Sequence, residues 1–553
     1  MEDGRAQNPA VGGTQSSDAG TARPSIAAGA LVLLAALHVG ALAWRMREFV
    51  VDDAYIGFVF LRNLLEGQGF VFHPGGPVVE GVTNIGWILV LAPSAALLDP
   101  VTAAKLTGAL LLFACLLLAA AIGVKLQRQL TPLAHAETLV LAPPLLLAAS
   151  FEFLYFPLAG METAALACAL LTMALIAMLK SDSLALPILG AMAFTFHPEA
   201  LLVFPLFVVL RAAAAGFPHF SRLREKSRRW EPERARELWA IARSALPLIL
   251  YIALLALITF ARWIHFGAVL PNTFASKPPA EIGTVINGLV ELASGGHPGI
   301  GFPAAGLLGL GLILLGWLRL HRASPSAAAM LGAVCATGLL FALYARPDWT
   351  HSARYFAPYL PAALILLWLG TIDLLGRLWP GRITPLAAFG GLVLAVLGIT
   401  LGARLGAMER YPGYVMASRT LIPPAEAIGR IVPEGDTIAT RRIGALAYVT
   451  RRNLFDYVYG LTDPEVARAV AKRGEAFEMP EVPELEPIWR ARAPRWILED
   501  EGVLAEIARK AGGSLDYFEV YGIAYEAVER FPIAPEIDWV LARRIDRSLA
   551  AGH

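Results

Sequence analysis

The sequence predicts an α-helical polytopic membrane protein with about 11 transmembrane helices and a C-terminal soluble domain of mixed α/β structure. Of its 553 residues, 56% are hydrophobic and 16% are charged, and the mean hydropathy is +0.57. Soluble proteins contain about 25% charged residues. Apolar runs long enough to cross a bilayer recur through most of the chain, whereas charged and polar residues dominate its last quarter.

These shifts in composition divide the chain into three predicted regions. Residues 1–25 are rich in Gly, Ala, Ser and Gln without apolar periodicity, which is typical of a disordered cytoplasmic tail. Residues 26–405 form the transmembrane region, and residues 406–553 form the extracytoplasmic domain. The apolar run from Ile26 to Trp44 is long enough to span the bilayer. The long tail before it and the lack of a small-residue cleavage site argue against a signal peptide.

Further spans are predicted wherever an apolar run reaches bilayer length. Pro187 and Pro198 lie within one of these runs and are candidates to break it into two shorter helices. The predicted spans cover residues 26–44, 85–99, 102–124, 136–151, 161–180, 184–210, 245–262, 301–318, 326–344, 355–374 and 384–403.

The distribution of basic residues predicts the orientation of these spans. The segment 211–243 contains nine Lys and Arg but four Asp and Glu, and the short connections 318–326 and 376–382 are also basic. By the positive-inside rule all three are cytoplasmic. The loops 45–84, 263–300 and 345–354 and everything after residue 404 then lie outside. The net charge of +1 gives no reason to expect a nucleic acid partner.

The region after residue 406 alternates short β-rich runs with helical stretches. With roughly 145 residues it is large enough for a core of its own. Its aromatic residues are candidates for glycan binding, although such residues are more often part of a core. Strands are predicted at residues 436–440, 453–458, 494–500, 515–528 and 538–544, and helices at 463–474 and 503–513.

The first outer loop contains adjacent carboxylates, Asp52 and Asp53, directly after a predicted span. Apolar residues at helical spacing predict a short amphipathic helix over 54–65 that lies at the membrane interface. Both acids would then lie at its N-terminus, where the helix dipole stabilises a negative charge. Simple N-capping by solvated interfacial acids is an equally good interpretation of an Asp-Asp pair taken alone.

The other outer loops collect polar residues of a kind that binds anions or sugars. Arg262, Asn272 and Lys277 flank a Pro-Asn-Thr turn and are suited to an anionic ligand. Asp348, His351 and Arg354 lie within nine residues of one another in the third loop. Interface anchoring explains the basic residues of both loops equally well. Glu162 and Glu199 lie within predicted spans, where acids are functional candidates by default.

Five motifs follow one another along nearly the whole chain. They are DDAYIGFVFLRNLLEGQGFVFHPGGPVVEGVTNIGW at 52–87, GMET at 160–163, HPEA at 197–200, FGAVLPNTFASK at 266–277, and the segment 443–468 beginning IGALAY. In this order they resemble the GT-C superfamily of membrane glycosyltransferases, and in particular its terminal arabinofuranosyltransferase group. His197 stands where these relatives tend to have Arg in an Arg-Pro-Glu motif, and Val82 stands where they usually have Tyr.

This resemblance implies a polytopic protein of the bacterial inner (plasma) membrane with its C-terminal domain on the extracytoplasmic side. It implies a transferase that moves a sugar, arabinofuranose in the group named, with inversion from a polyprenyl-phosphate donor to a cell-envelope glycan or lipid acceptor. Two alternatives remain: a transporter or flippase of lipid-linked sugars, which should carry polar groups at the bilayer midplane, and a catalytically silent GT-C relative.

The chemistry of transfer assigns roles to the outer-face residues. Asp53 or Asp52 would be the general base that takes the acceptor hydroxyl proton. A divalent cation bridging both acids and the phosphate is compatible with oxygen-ligand preference, although two adjacent acids are weak evidence for it. Stabilisation of the departing phosphate suits Arg354, Lys277, Arg62 and Arg262. Orientation of the sugar and acceptor is assigned to Glu80, Asn84, Asn272, Asp348 and His351.

Overall fold

The computed structural model describes residues 26–130, 136–214, 232–273, 282–283, 285–286, 289–290, 307–345, 354–378, 412–534 and 537–545. The predicted tail at 1–25, most of the basic segment 211–243 and the predicted span at 384–403 lie outside these residues.

The described part of the region before residue 379 is helical. Its α-helices are α1 Ile26–Arg45, α2 Asp52–Leu65, α3 Ile85–Ala95, α4 Pro100–Gln129, α5 Ala142–Ala149, α6 Phe151–Leu158, α7 Thr163–Leu179, α8 Ala185–Phe196, α9 Val203–Ala214, α10 Pro232–Phe266, α11 Leu307–Ala323, α12 Pro325–Tyr344 and α13 Leu360–Leu378. Short 3-10 helices cover Ala136–Val140, Pro198–Leu202 and Ala357–Tyr359.

Among the described residues, four helical segments are both long and apolar enough to cross a membrane. Several other apolar helices are shorter than a full span, so the number of spans stays a prediction. The four long segments are Pro100–Gln129, Ala245–Phe266, Pro325–Tyr344 and Ala357–Leu378.

The predicted span at 184–210 is broken in the middle. Helix α8 ends at Phe196, His197 is extended with φ −147° and ψ 125°, and a 3-10 turn leads into α9. Pro198 is the cause, because its ring disfavours a helical conformation at the preceding residue and it has no N–H to donate. Similarly, extended backbone at Ser150 separates α5 from α6. Both breaks bring polar side chains into the protein interior.

Helices α11 and α13 pack with their backbones in direct contact. A Cβ atom added at Gly370 would lie 1.9 Å from the Leu312 carbonyl oxygen, and one at Gly316 would lie 2.0 Å from the carbonyl oxygen of Leu366. Close approach through small residues is the usual way in which membrane helices maximise packing, since lipid supplies no hydrophobic driving force between them.

The C-terminal region forms a six-stranded sheet with helices on both faces. Strands β2, β1 and β3 are parallel to one another, whereas β6, β5 and β4 add to the β3 edge in antiparallel fashion, in the order β2-β1-β3-β6-β5-β4. The strands are β1 Thr437–Ala439, β2 Asn453–Phe455, β3 Trp496–Asp500, β4 Phe518–Val520, β5 Ile523–Ala534 and β6 Ile537–Arg544. The helices are α14 Pro412–Ile431, α15 Ala445–Thr450, α16 Pro464–Arg473, α17 Glu486–Arg492 and α18 Glu501–Lys510.

Alternate residues of the central strands join two different cores. In β3, Trp496 and Leu498 pack in the core that continues into the transmembrane helices, whereas Ile497 faces the core formed with α16, α17 and α18. In β6, Trp539 belongs to the first core and Val540 to the second. The period of two along each strand produces this division. One face of the sheet is therefore continuous with the helical region.

The structure confirms both predicted helices of this region and the strands predicted at 436–440, 453–458, 494–500 and 538–544. The run 515–528, predicted as one strand, instead forms β4 and the start of β5, which are separated by a turn at Tyr521 and Gly522. The sequence patterns did not predict α14, α15 or α17. Helix α15 spans six residues and α17 seven, too few for a helical hydrophobic period to register. Helix α14 contains Pro423 and Pro424, and a pair of prolines ordinarily indicates that a helix ends or begins there.

We expect Gly370→Ala to lower the thermal unfolding temperature of the detergent-solubilised protein by several degrees, because the new methyl group would overlap backbone atoms of α11 that cannot move aside. Gly311→Ala on α11 is the matched control, since a Cβ there meets no atom within 4 Å. Equal unfolding temperatures for the two variants would contradict this packing.

Candidate functional site

Helix α2 begins with the two adjacent aspartates, but it does not lie exposed at an interface as predicted. All its residues from Ala54 to Leu61 are buried. The C-terminal domain covers it: the ring of Tyr448 lies 5.3 Å from that of Tyr55 and 6.2 Å from that of Phe58, centroid to centroid. The amphipathic pattern could not reveal that the helix is covered by the C-terminal domain, because the covering residue, Tyr448, lies nearly 400 residues away in the sequence.

Asp53 forms an ion pair with Arg354. The guanidinium Nη1 donates to Asp53 Oδ2 at 2.6 Å, and the side chains keep 29% and 15% of their surface exposed for Asp53 and Arg354 respectively. Arg354 also interacts electrostatically with Glu162. The structure therefore brings together an acidic residue of the first predicted outer loop and a basic residue of the third. This pair is partly exposed, so a ligand can reach it.

Asp52 faces a different partner. Its Oδ1 accepts a hydrogen bond from the Ala445 N–H at 2.8 Å. Burial raises the pKa of the Asp52 carboxyl above its usual range, and the Ala445 hydrogen bond acts in the opposite direction. A Cβ at Gly444 would lie 2.1 Å from the Asp52 carbonyl oxygen, so only glycine allows this approach. Asp52 thus joins the C-terminal domain to the start of α2.

The C-terminal domain also supplies side chains to the surroundings of the aspartates. Arg442 interacts electrostatically with Asp52 and donates to Asp500 Oδ2 at 3.2 Å. Partial desolvation, followed by the charges of Asp456 and Asp53, raises the pKa of the half-exposed Tyr459. The loop carrying Tyr459 is held by Asp456, whose carboxylate accepts backbone N–H groups of residues 458, 459 and 461. The two regions of the chain therefore build this site together.

Glu80 and Arg262, assigned separately to the sugar and the phosphate, form a buried ion pair. Arg262 Nε donates to Glu80 Oε1 at 2.9 Å, and the residues are 1% and 7% exposed for Glu80 and Arg262 respectively. Burial raises the pKa of Glu80, while Arg262 lowers it. The Asn272 N–H donates to the Glu80 carbonyl at 3.1 Å, and its side-chain amide donates to the Gly460 carbonyl at 3.0 Å.

Asn84 begins a chain of buried hydrogen bonds through the helical region. Its amide donates to Glu162 Oε2 at 2.7 Å, and the other Glu162 oxygen lies 2.9 Å from His197 Nε2. His197 Nδ1 lies 2.7 Å from Glu199 Oε1, to which the Tyr359 hydroxyl also donates at 3.3 Å. One histidine therefore links two buried glutamates, which satisfies most of their hydrogen-bonding capacity away from water.

The remaining assigned residues fall into two groups. Arg62 lies nine residues beyond Asp53 on α2, about 13 Å along the helix axis, and donates to the Tyr448 carbonyl at 2.7 Å. It is not brought next to Asp53 by the fold. Lys277, Asp348 and His351 lie outside the described residues.

A cation at Asp52 and Asp53 stays a prediction, since the described residues add no further acidic, histidine or cysteine ligand to the pair. No group of three or more His, Cys, Asp or Glu side chains with metal-binding geometry occurs among them. The carboxylates of Asp52 and Asp53 accept from a backbone N–H and a guanidinium instead. Two carboxylates already engaged by protein donors fall short of the oxygen ligand set that Mg²⁺ or Ca²⁺ takes.

Lys105 is a half-buried charged residue that the sequence assignments missed. Its ammonium donates to the Met46 carbonyl at 2.9 Å and to the carbonyls of Phe49 and Leu158. It ties the segment before Asp52 to the end of α6. A lysine inside an apolar run was the available signal, because a membrane segment accepts such a charge only where partners exist.

The aromatic residues proposed for glycan binding divide by burial. Tyr457 and Phe518 are fully buried core residues, and the Tyr521 hydroxyl donates to the Val482 carbonyl at 2.5 Å. Tyr459 and Tyr517 are exposed, at 37% and 45% respectively. Tyr459 is the one of these two that lies beside the aspartates.

Comparisons with known proteins bear on the two regions separately. A family model described as a domain of unknown function (DUF8728) matches residues 416–548. Among curated proteins no sequence match was found. ArnT from Cupriavidus metallidurans in the apo state is 15% identical, with 94% of this chain and 98% of that chain covered and a TM-score of 0.53.

Two further solved structures are similar over most of this chain. ArnT from the same organism bound to undecaprenyl phosphate is 13% identical, covering 93% of this chain and 97% of that chain with a TM-score of 0.50. The Archaeoglobus fulgidus oligosaccharyltransferase tethered with an acceptor peptide is 11% identical, covering 87% and 70% with a TM-score of 0.51. These similarities show that the chain shares its fold with ArnT and with the archaeal oligosaccharyltransferase.

We expect Gly444→Ala to displace α15 from the start of α2, because the added methyl group would overlap the Asp52 carbonyl. Hydrogen–deuterium exchange in peptides covering residues 52–55 and 444–450 should then be faster than in the parent protein. Gly502→Ala, where a Cβ meets no atom within 4 Å, is the control. Unchanged exchange in Gly444→Ala would contradict the docking.

His197→Leu should destabilise the protein by about 3–5 kcal/mol, because it removes the group that pairs two buried carboxylates. His197→Arg restores a donor between the glutamates and should recover most of that stability. Urea or thermal unfolding in one detergent measures both variants. If the leucine variant unfolded like the parent, the His197 bridge would be unimportant for stability.

Proposed function

We propose that the protein is a membrane glycosyltransferase that moves a sugar from a polyprenyl-phosphate donor to a cell-envelope glycan or lipid acceptor. The resemblance of the sequence motifs favours arabinofuranose as the donor sugar. The membrane would be the bacterial plasma membrane, with the aspartates and the C-terminal domain on the extracytoplasmic face, as the basic segments suggest.

The observation that carries this proposal is the ion pair of Asp53 and Arg354, 2.6 Å apart and partly exposed. A carboxylate suited to accept a proton lies beside a guanidinium suited to bind a phosphate. The fold adds support, because solved structures of that fold include ArnT bound to undecaprenyl phosphate and an oligosaccharyltransferase carrying an acceptor peptide.

In the proposed reaction, the acceptor hydroxyl gives its proton to Asp53 while its oxygen attacks the anomeric carbon. The bond between that carbon and the phosphate oxygen breaks, and the polyprenyl phosphate leaves with the bonding electron pair. Attack from the face opposite the phosphate inverts the anomeric centre. Arg354 has five N–H donors, so it can hold the leaving phosphate while still contacting Asp53. Its fixed charge stabilises the negative charge that develops on the phosphate.

The two aspartates have different roles in this proposal. Asp52 is engaged by the Ala445 N–H and acts as a positioning residue that fixes the first turn of α2. Asp53 is the catalytic base. Lys277 is proposed as a second cation for the phosphate, and Asp348 and His351 as acceptor contacts in the third loop. Arg262 is paired with Glu80 and would act on the phosphate only from a distance.

One structural feature favours the alternative that the protein transports lipid-linked sugars. The break at His197 introduces buried acids into the helical region, as broken transporter helices do. These acids are hydrogen-bonded to one another and to His197, Asn84 and Tyr359, with one Glu199 oxygen lacking a protein partner. Because most of these polar atoms already have protein partners, the network is better suited to stabilising the fold than to binding a substrate.

Asp53→Asn should reduce transfer by about 10²- to 10⁴-fold, the usual contribution of a general base. The assay is transfer from polyprenyl-phosphate arabinofuranose, in reconstituted vesicles, to glycan extracted from cells lacking the gene. Mass analysis of that glycan measures the product.

Glu66→Gln is the matched control, because Glu66 lies just beyond the other end of α2 in an exposed ion pair with Arg451. It should keep parental activity. Full activity in Asp53→Asn would remove the base assignment. Movement of the donor across the bilayer without any product in the parent protein would favour the transporter.

A further inference from the structure

A cavity of about 620 Å³ lies between the helical region and the C-terminal domain, apart from the ion pair of Asp53 and Arg354. This volume falls within the range of cavities that hold small-molecule ligands, about 300–1,000 Å³. Three segments form its walls: residues 78–80 of the first outer loop, residues 266–272 after α10, and the face of α16 that carries Pro464, Ala467, Arg468 and Ala471.

The polar groups of this cavity suit a ligand rich in hydroxyl groups. Glu80 is 1% exposed, and its Oε2 has no hydrogen-bond partner in the protein, although Oε1 is paired with Arg262. A buried carboxylate oxygen without a donor is costly, so a hydroxyl donor from a ligand would be favourable there. Arg468 is exposed and offers guanidinium donors to sugar oxygens. Phe266 adds an aromatic ring to the wall.

The cavity adjoins the candidate active site through one loop. The carbonyl of Gly460 accepts from Asn272, which lines the cavity. Gly81 lies tightly against Leu461, since a Cβ atom added at Gly81 would lie 2.5 Å from the Leu461 carbonyl oxygen. Tyr459, the residue before Gly460, interacts electrostatically with Asp53. The loop of residues 459–461 therefore contacts the cavity lining on one side and interacts with Asp53 on the other.

We propose that this cavity binds the acceptor as a carbohydrate chain, at sugar residues adjacent to the one that receives the new sugar. The inference rests on the proposed function and adds to it the class of acceptor, a glycan instead of a bare lipid. It also gives the C-terminal domain a role, since α16 supplies Arg468 and one wall. In this arrangement Glu80 accepts from a sugar hydroxyl and Arg468 donates to sugar oxygens at the cavity mouth.

The test fills the cavity without disturbing either core. Ala471 lines the cavity and is exposed, so Ala471→Trp should fold normally while its indole occupies the space. Arg468→Gln removes one set of donors. Lys472→Trp is the matched control, because Lys472 is exposed on the same helix and does not line the cavity. The probe is the glycan extracted from cells lacking the gene, titrated in the vesicle assay at saturating donor.

We expect Ala471→Trp to raise the KM for this glycan at least tenfold and Arg468→Gln to raise it three- to tenfold, with kcat changed less than twofold. Lys472→Trp should match the parent. Parental KM values in both cavity variants, with the parent active, would overturn the cavity proposal and leave the proposed function standing. Absence of any glycan product from the parent would instead overturn the proposed function, and the cavity proposal with it.

Discussion

The contact between the first turn of α2 and the backbone of Gly444 and Ala445 organises the rest of the site. The Ala445 N–H donates to Asp52 at 2.8 Å and so joins the helical region to the sheet domain at the residue next to Asp53. The absence of a side chain at Gly444 makes that distance attainable. The same face of the domain also packs the Tyr448 ring against Tyr55. The C-terminal domain is thus part of the candidate active site.

This arrangement separates the roles of two chemically identical neighbours. On a helix, consecutive residues point about 100° apart, so Asp52 and Asp53 cannot face the same partner. Asp52 points toward the domain, where it accepts from the Ala445 N–H and desolvation raises its pKa. Asp53 remains partly exposed beside Arg354. The carboxylate with a cationic neighbour is the one suited to chemistry, whereas the carboxylate that is bonded to the backbone of the C-terminal domain suits positioning.

Sequence reasoning predicted what depends on local periodicity and missed what depends on distant partners. The strands of the C-terminal domain were predictable because alternate residues face two cores, as Trp496 and Ile497 do. Asp52 and Asp53 could be singled out from the sequence because charged residues next to a membrane span are costly to desolvate and are therefore functional candidates. The burial of α2 was not, since its cover comes from residues near 448. The Glu80–Arg262 pair joins residues 182 apart and carries no local pattern.

The central claim is that Arg354 and Asp53 meet a lipid-borne phosphosugar, and a structure of the protein with undecaprenyl phosphate tests it most directly. The account predicts a phosphate oxygen within about 3 Å of the Arg354 guanidinium, with Asp53 beside it and open to an acceptor hydroxyl. A phosphate bound elsewhere, with Arg354 still directed only at Asp53, would contradict it.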